Sequence, residues 1–507
     1  MSNGMPKDLA FARNESLVCE RGFAVSCSVR DIFSRARDPR DAAELCRLYI
    51  GSVEASLGTA SARPEAAACW RASRPLRDVT DEEILSSRSV VAWVKQLFNH
   101  FFRDDLYGLL RRDDTIVLSS GSLDESIFGL PSSLKRSILA ALDRDWYGYS
   151  DSRGRRATRR AIAALENART SGGPYDEEWI AVTMGGTFAI ACLADFLFGG
   201  KAPTSPVLCA TPNYPPMVES IARRAVTRLV PVATGEGWTD ISALIEALRA
   251  DTPLVFVQTV TNPTGTRIPE QQIAHLVRAA SPSTLIVLDE AHECLNIGPV
   301  SSYCAERAQR NVVRVASLSK THSVPGMKLG WIVAHPDVVR EYYEYASTTY
   351  GGPPSLFYLL IEMAARFDQW DAAGLERPSC AAHAQFEPAY GFTQEHLAAE
   401  YADYLEYRRD LEHRVSKSRD ATVAALAHSP FRATTATHSV NVSFRIANCD
   451  SSYAWFRRCL AATNVSCFPS ILNFDFQDDS MRLTVGRGEA EMSEGVRRIA
   501  GFARGRQ

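Results

Sequence analysis

From about residue 155 onward the chain alternates short apolar runs with stretches of helical periodicity. Val207–Ala210, Leu254–Val257, Leu285–Leu288, Val312–Val315 and Gly330–Ala334 each end at polar residues or at Gly/Pro punctuation. Runs this short and this apolar predict strands buried on both faces. The helical stretches between several of them predict helices on both sides of a mainly parallel sheet, an α/β architecture placed at residues 155–367. Helical periodicity returns at Glu395–Leu426, and strands are expected near Val440–Phe444 and Met481–Val485. These mark a smaller α+β unit, assigned to 395–507 together with 111–154. Between the two, residues 368–394 carry Trp, Pro, Gly and Cys without periodicity and read as an inserted loop. Residues 1–110 form an extension, helical over Asp31–Leu57 and Glu82–Leu110 and linker-like over Thr59–Pro75. No chemistry is visible in it, so packing or a dimer contact is its expected role.

Composition narrows the partners. A hydrophobic content of 46% with 23% charged residues is that of a soluble globular protein. A net charge of -3 offers no attraction to nucleic acid or to an anionic membrane. The first residues lack the apolar core of a signal peptide, and the longest apolar run, Phe188–Phe198, is interrupted by Asp195 and too short to span a bilayer. The twelve cysteines are scattered, with no CxxC pair and no metal-ligand spacing, so they read as reduced side chains in a cytoplasmic protein with no metal.

The candidate chemistry falls just after the apolar runs, where open α/β sheets bind their ligands. Lys320 closes the segment Ser317-Leu-Ser-Lys320; it is either a solvated charge or a Schiff-base lysine kept nucleophilic by a partly desolvated pocket. Asp289 ends the run Leu285–Asp289, where a carboxylate caps a helix or pairs with a pyridinium nitrogen. Asn262, in Asn262-Pro-Thr-Gly265, sits in a turn and could donate to a phenolate oxygen. Tyr214, in Pro212-Asn-Tyr214-Pro215, is a core ring or one that stacks on a planar cofactor. Met184-Gly185-Gly186-Thr187 opens a helix whose free N–H groups suit a phosphate, with Lys328 as a second cation.

Taken in order, these motifs resemble the class I/II aminotransferase superfamily, the fold-type I enzymes dependent on pyridoxal phosphate, over roughly residues 112–503. The resemblance implies a homodimer with active sites shared between subunits and an amino-acid substrate. It makes Lys320 the covalent anchor and proton shuttle, Asp289 the pyridinium partner, Asn262 the donor to the 3′ oxygen and Tyr214 the stacking ring. Gly185, Gly186 and Thr187, with Ser317 or Ser319 and Lys328, match the phosphate cup. Tyr149 matches the tyrosine that reaches a neighbouring subunit's phosphate. Arg482 matches the arginine that grips the α-carboxylate, a task suited to its planar fork, with Arg487 as the competing candidate.

Three positions depart from the family pattern. His292 stands three residues after Asp289 where a tyrosine is usual; it could donate the same bond, transfer protons near neutral pH or be structural. Lys328 replaces an arginine. Ser347 stands where relatives specific for dicarboxylates carry an arginine, which argues against aspartate or glutamate recognised in that way. The leading reading is an aminotransferase in a biosynthetic pathway. A lyase or cyclase performing β- or γ-elimination or replacement is the second, and a non-catalytic regulator the third, disfavoured because residues 1–110 lack a basic recognition helix.

Overall fold

A computed structural model of the chain describes residues 24–58, 77–170, 173–235, 237–293, 303–349, 352–427 and 429–504; the linker-like stretch at 59–75 lies outside them. Seven strands make the central sheet: β1 (Ile180–Thr183), β2 (Val207–Thr211), β3 (Thr227–Pro231), β4 (Leu254–Gln258), β5 (Leu285–Asp289), β6 (Val312–Ser317) and β7 (Gly330–Ala334). Their order is β1-β7-β6-β5-β4-β2-β3, with β7 antiparallel to both neighbours and every other pairing parallel. The sheet is apolar on both sides. Leu254 and Phe256 of β4 face one core and Val255 and Val257 another, the alternation that a strand sandwiched between helices requires.

In the extension, α1 (Cys27–Arg35), α2 (Ala42–Ser56) and α3 (Arg88–His100) continue into a π-helical stretch, Phe101–Leu109. Following β1 and β2 are α4 (Gly186–Phe198) and α5 (Pro215–Ala222). After the sheet come α6 (Tyr358–Ala372) and the long α7 (Gln394–Ala427). The smaller unit is an antiparallel sheet of β8 (Phe431–Ala433), β9 (Asn441–Ile446), β10 (Phe468–Pro469) and β11 (Ser480–Thr484), in the order β8-β9-β11-β10. It is backed by α8 (Ser452–Thr463) and α9 (Glu489–Arg504). No helix among the described residues is long and apolar enough to cross a membrane.

Two boundaries differ from the sequence expectation. Ile116–Val117 pairs with Val465–Ser466 and so joins the smaller unit. Leu130 and Leu134, however, pack with Ile162, Ile180 and Tyr358, which draws the helix Ser132–Asp143 onto the large unit. The segment 368–394 is not a plain loop: α6 runs through Ala372, short helical turns lie at Cys380–His383 and Pro388–Tyr390, and Phe386 and Tyr390 are buried. Its aromatic residues fill a core that includes Trp370 and Tyr401, an apolar gain that scanning for periodicity alone does not register.

The extension is docked, not dangling. Trp93 stacks with Phe476, Tyr49 meets Tyr453 edge-on, and the Tyr49 hydroxyl donates to Asp478 Oδ2 at 2.8 Å. Burial raises the Asp478 carboxyl to about 7, against the hydrogen bonds from Ser452 and Tyr49. Because the folded value lies above the unfolded one, this group stabilises fully below about pH 4 and loses that contribution as pH rises through about 7. Asp478→Asn is expected to flatten the dependence of the unfolding free energy on pH between about 4 and 7, by an amount on the order of a few kcal/mol. An identical pH dependence in both proteins would refute the assignment.

Candidate active site

Asp289, Asn262 and Lys320 lie at or just after the carboxyl ends of the parallel strands, and Arg482 and His292 lie close to them. Asp289 is the last residue of β5 and is 2% exposed. Its Oδ2 accepts from Gln258 Nε2 at 2.8 Å and its Oδ1 from the Ala291 N–H at 3.1 Å. Gln258, which the sequence reading missed, ends β4 directly opposite Asp289 in the strand register. Its signal was a polar residue closing a wholly apolar strand. Burial raises the Asp289 carboxyl above its ordinary value, against the hydrogen bonds from Gln258 and the Ala291 N–H and, to a smaller extent, the charge of Lys320.

Ser317 ends β6 and caps the helical turn that carries Lys320, its Oγ accepting from the Ser319 N–H at 3.1 Å. Lys320 Nζ donates to the Gly121 carbonyl at 2.5 Å. Burial, with Arg482 and Lys328 nearby, lowers the amine to about 8. A sizeable fraction is then uncharged at neutral pH, which is the state a nucleophilic amine needs.

Arg482 lies on β11 beside Phe468 of β10, and its guanidinium sits 4.1 Å from the centre of that ring. Nη1 donates to Asn262 Oδ1 at 3.0 Å and Nη2 to the Ser119 carbonyl at 2.8 Å, whereas the buried Nε has no partner among the described residues. Burial pulls its pKa down to about 10, and no carboxylate pairs with it among the described residues. A buried cation without a counter-ion is costly unless an anion joins it. Arg487 is already committed, to Asp124 at 3.0 Å and the Val117 carbonyl at 3.2 Å. The loop Ser119–Gly121 is the second feature the sequence reading missed. Gly121 has φ +71, and a Cβ there would lie 3.1 Å from Arg482 Nη2, so the close approach needs glycine.

Gly185, at φ +80, caps α4, and Gly186 and Thr187 open it. The Lys328 backbone passes 3.5 Å from where a Gly185 Cβ would stand, which brings that cation to the same helix end. Thr187 and Lys328 are exposed, as an anion cup open to a ligand requires. Tyr214 caps α5; its ring is half-buried and meets Phe98 of α3 edge-on at 5.8 Å. His292 is 8% exposed, with Nδ1 on the Ser439 hydroxyl; burial, Lys320 and Arg482 together lower it to about 3. A ring lowered to about 3 favours the donor and structural readings of His292 over proton transfer near neutral pH. Tyr149, matched to the tyrosine that reaches a neighbouring subunit's phosphate, is fully exposed on its own subunit.

A sheet with one antiparallel strand, a half-buried lysine and a buried aspartate at adjacent strand ends and an anion cup at a glycine-capped helix define a fold-type I site. A family model for aminotransferase class I and II matches residues 113–379, more than half of the chain. The chain belongs to that family, whose members use pyridoxal 5′-phosphate. It is 30% identical over 233 residues to the valine–pyruvate aminotransferase of Mycobacterium tuberculosis, 45% of this chain and 57% of that protein. It is 35% identical over 115 residues to the histidinol-phosphate aminotransferase of Symbiobacterium thermophilum, 22% and 31% of the respective chains. The matched stretches thus span from about a third to under six-tenths of these relatives' own length. The aspartate aminotransferase of Thermus thermophilus with maleate superposes with a TM-score of 0.61 over 84% of this chain and 99% of that one, at 20% identity. The aromatic aminotransferase of Pyrococcus horikoshii gives 0.63 over 78% and 97%, at 17% identity, a likeness of fold.

The residues present fit the cofactor. The Lys320 amine could hold its aldehyde carbon, Asp289 its ring nitrogen, and the N–H groups of α4 with Ser317, Ser319 and Lys328 its phosphate. The unpartnered Arg482 Nε leaves a donor for the carboxylate of an amino acid beside it.

Proposed function

We propose that the chain transfers the amino group of an α-amino acid to a 2-oxo acid, with Lys320 carrying the proton between donor and acceptor carbons. The observation that carries this reading is the convergence of the Lys320 amine, lowered to about 8, the buried Asp289 carboxylate and the Arg482 guanidinium without a counter-ion. Arg482 and Asn262 orient the substrate through its α-carboxylate, and holding one bond of the α-carbon in the right direction supplies much of the rate. Asp289 would hold a positive charge on the cofactor's ring nitrogen. Pyridoxal phosphate, when bound, supplies the ring that accepts the electron pair left by the departing proton. Lys320, uncharged in part at neutral pH, is the base that takes that proton and the acid that returns it.

The side chain of the substrate is apolar or aromatic in this reading. Phe98, Phe102 and Phe468 pack as one group of rings beside Tyr214 and Arg482. Ser347, where a second carboxylate would need a cation, is exposed and bonds the Glu344 carbonyl. The functional unit is a homodimer: Leu139, Leu142, Tyr147 and Tyr149 expose large apolar surface on one short stretch, which a second copy would cover.

The test is a panel of amino acids, each followed by a 2-oxo acid, with the visible absorption of the loaded protein monitored throughout. An apolar or aromatic amino acid is expected to bleach the absorption and the 2-oxo acid to restore it. Release of ammonia or of a side-chain fragment without such a cycle would replace transfer with elimination.

A further inference from the structure

His292 is held by a residue from the smaller unit. Its Nδ1 touches the hydroxyl of Ser439, which directly precedes the strand pair that brings in Asn441 and Arg482. Ser439 is 1% exposed, has φ +64, and has its carbonyl fixed by Arg419 Nη1 of α7 at 2.9 Å. Its hydroxyl has no partner among the described residues other than this imidazole. A neutral imidazole carries one N–H, and a hydroxyl carries one hydrogen. If Nδ1 bore the proton, the Ser439 hydrogen would be buried with no acceptor, a costly arrangement. If the hydroxyl donates to Nδ1, the Ser439 hydrogen has its acceptor, and the ring proton sits on Nε2, free for an acceptor that a ligand brings.

The geometry points to Ser439 as a positioning residue that fixes His292 in the tautomer protonated at Nε2, making the ring an obligate donor into the pocket. Nε2 itself has no hydrogen-bond partner among the described residues. The charges of Lys320 and Arg482 act on the ring, Asp289 and Glu293 lie on its own turn, and Arg419 and His438 lie beside Ser439. With two cations acting on it the ring stays neutral, so it donates from Nε2 without itself taking up a proton. The acceptor is an anionic oxygen: that of the cofactor, on the reading proposed above, or one of the substrate. The contact also ties the turn after β5 to the smaller unit, so the donor is in place only when the two units are packed as here.

The experiment is nitrogen-15 NMR of the ten histidines in the full chain, before and after loading with pyridoxal phosphate, with the His292 ring identified by its loss in His292→Gln. The wild type is expected to show Nε2 protonated and Nδ1 bare, without titration between pH 5 and 8. Ser439→Asp, which only accepts, is expected to move the proton to Nδ1. Ser439→Asn, which tolerates a positive φ and keeps a donor, is expected to retain the wild-type tautomer. In the loaded protein, the pH midpoint of the visible absorption is expected to rise by about one unit in Ser439→Ala and Ser439→Asp, because a donor to the cofactor oxygen is lost, and to stay near wild type in Ser439→Asn. A wild-type ring protonated at Nδ1, or a Ser439→Ala protein with unchanged tautomer and midpoint, would overturn the proposal. Should the protein bind no cofactor, the proposed function fails while the tautomer measurement still decides this point.

Discussion

Lys320→Ala is expected to reduce amino-group transfer by at least about a thousandfold, while the folded protein and its affinity for the cofactor's phosphate and ring nitrogen persist. The lysine is asked to do two jobs: to hold the cofactor covalently and to move a proton at the α-carbon. No other side chain at the site can take over the second. Lys328 is exposed, its backbone beside the glycine cap of α4, and His292 is held neutral at about 3, too weak a base to accept the proton. Colour in the variant should be removable by dialysis, since Asp289 and the helix end bind without a covalent bond. Steady-state transfer within about tenfold of wild type would mean that another group carries the proton.

Arg314→Met is expected to destabilise the fold by about 3–5 kcal/mol, read as a shift in the denaturant midpoint. Arg314, on β6, is fully buried and bonds Glu166 at 2.5 Å and Glu290 at 2.7 Å. Glu290 also pairs with Arg307, which reaches Glu293 at 3.0 Å and Glu270 at 2.5 Å. Arg169 and Arg267 close the ends, giving four arginines and four glutamates. Because four arginines meet four glutamates, deletion of Arg314 leaves one buried negative charge in excess, with Arg169 alone on Glu166 and Arg307 shared between Glu290 and its other glutamates. That, more than the value of the pair itself, sets the cost. Glu290 follows Asp289 directly, so the same variant is expected to loosen the turn that carries the pyridinium partner. Adding Glu166→Gln should recover part of the loss, since the two residues share one network. A loss below about 1 kcal/mol for Arg314→Met would mean that water or another cation relieves the buried glutamates.

How much of this was legible in the sequence follows from the physics of each feature. The sheet could be read because strands covered on both faces are short and wholly apolar, and each of the five runs picked out lies within or on a strand. Lys320, Asp289, Asn262 and the Gly185–Gly186 pair could be placed because loops after parallel strands must open at one edge of the sheet. The missed parts are those that depend on contacts between distant segments. Gln258 matters only because the register sets it beside Asp289, Gly121 only because its carbonyl meets the Lys320 amine, and Ser439 only because the smaller unit brings it to His292. The insertion at 368–394 was misread for a related reason. Its aromatic rings bury themselves against Trp370 and α7 with no helical or strand period to announce it.

The central claim, that Lys320 anchors pyridoxal phosphate, is tested most directly by treating the purified protein with borohydride and mapping its peptides by mass. The account predicts a yellow protein that bleaches on reduction and carries one phosphopyridoxyl group, on the peptide containing Lys320. A colourless protein that stays unmodified after incubation with pyridoxal phosphate, or a label on another lysine with Lys320 free, would contradict it.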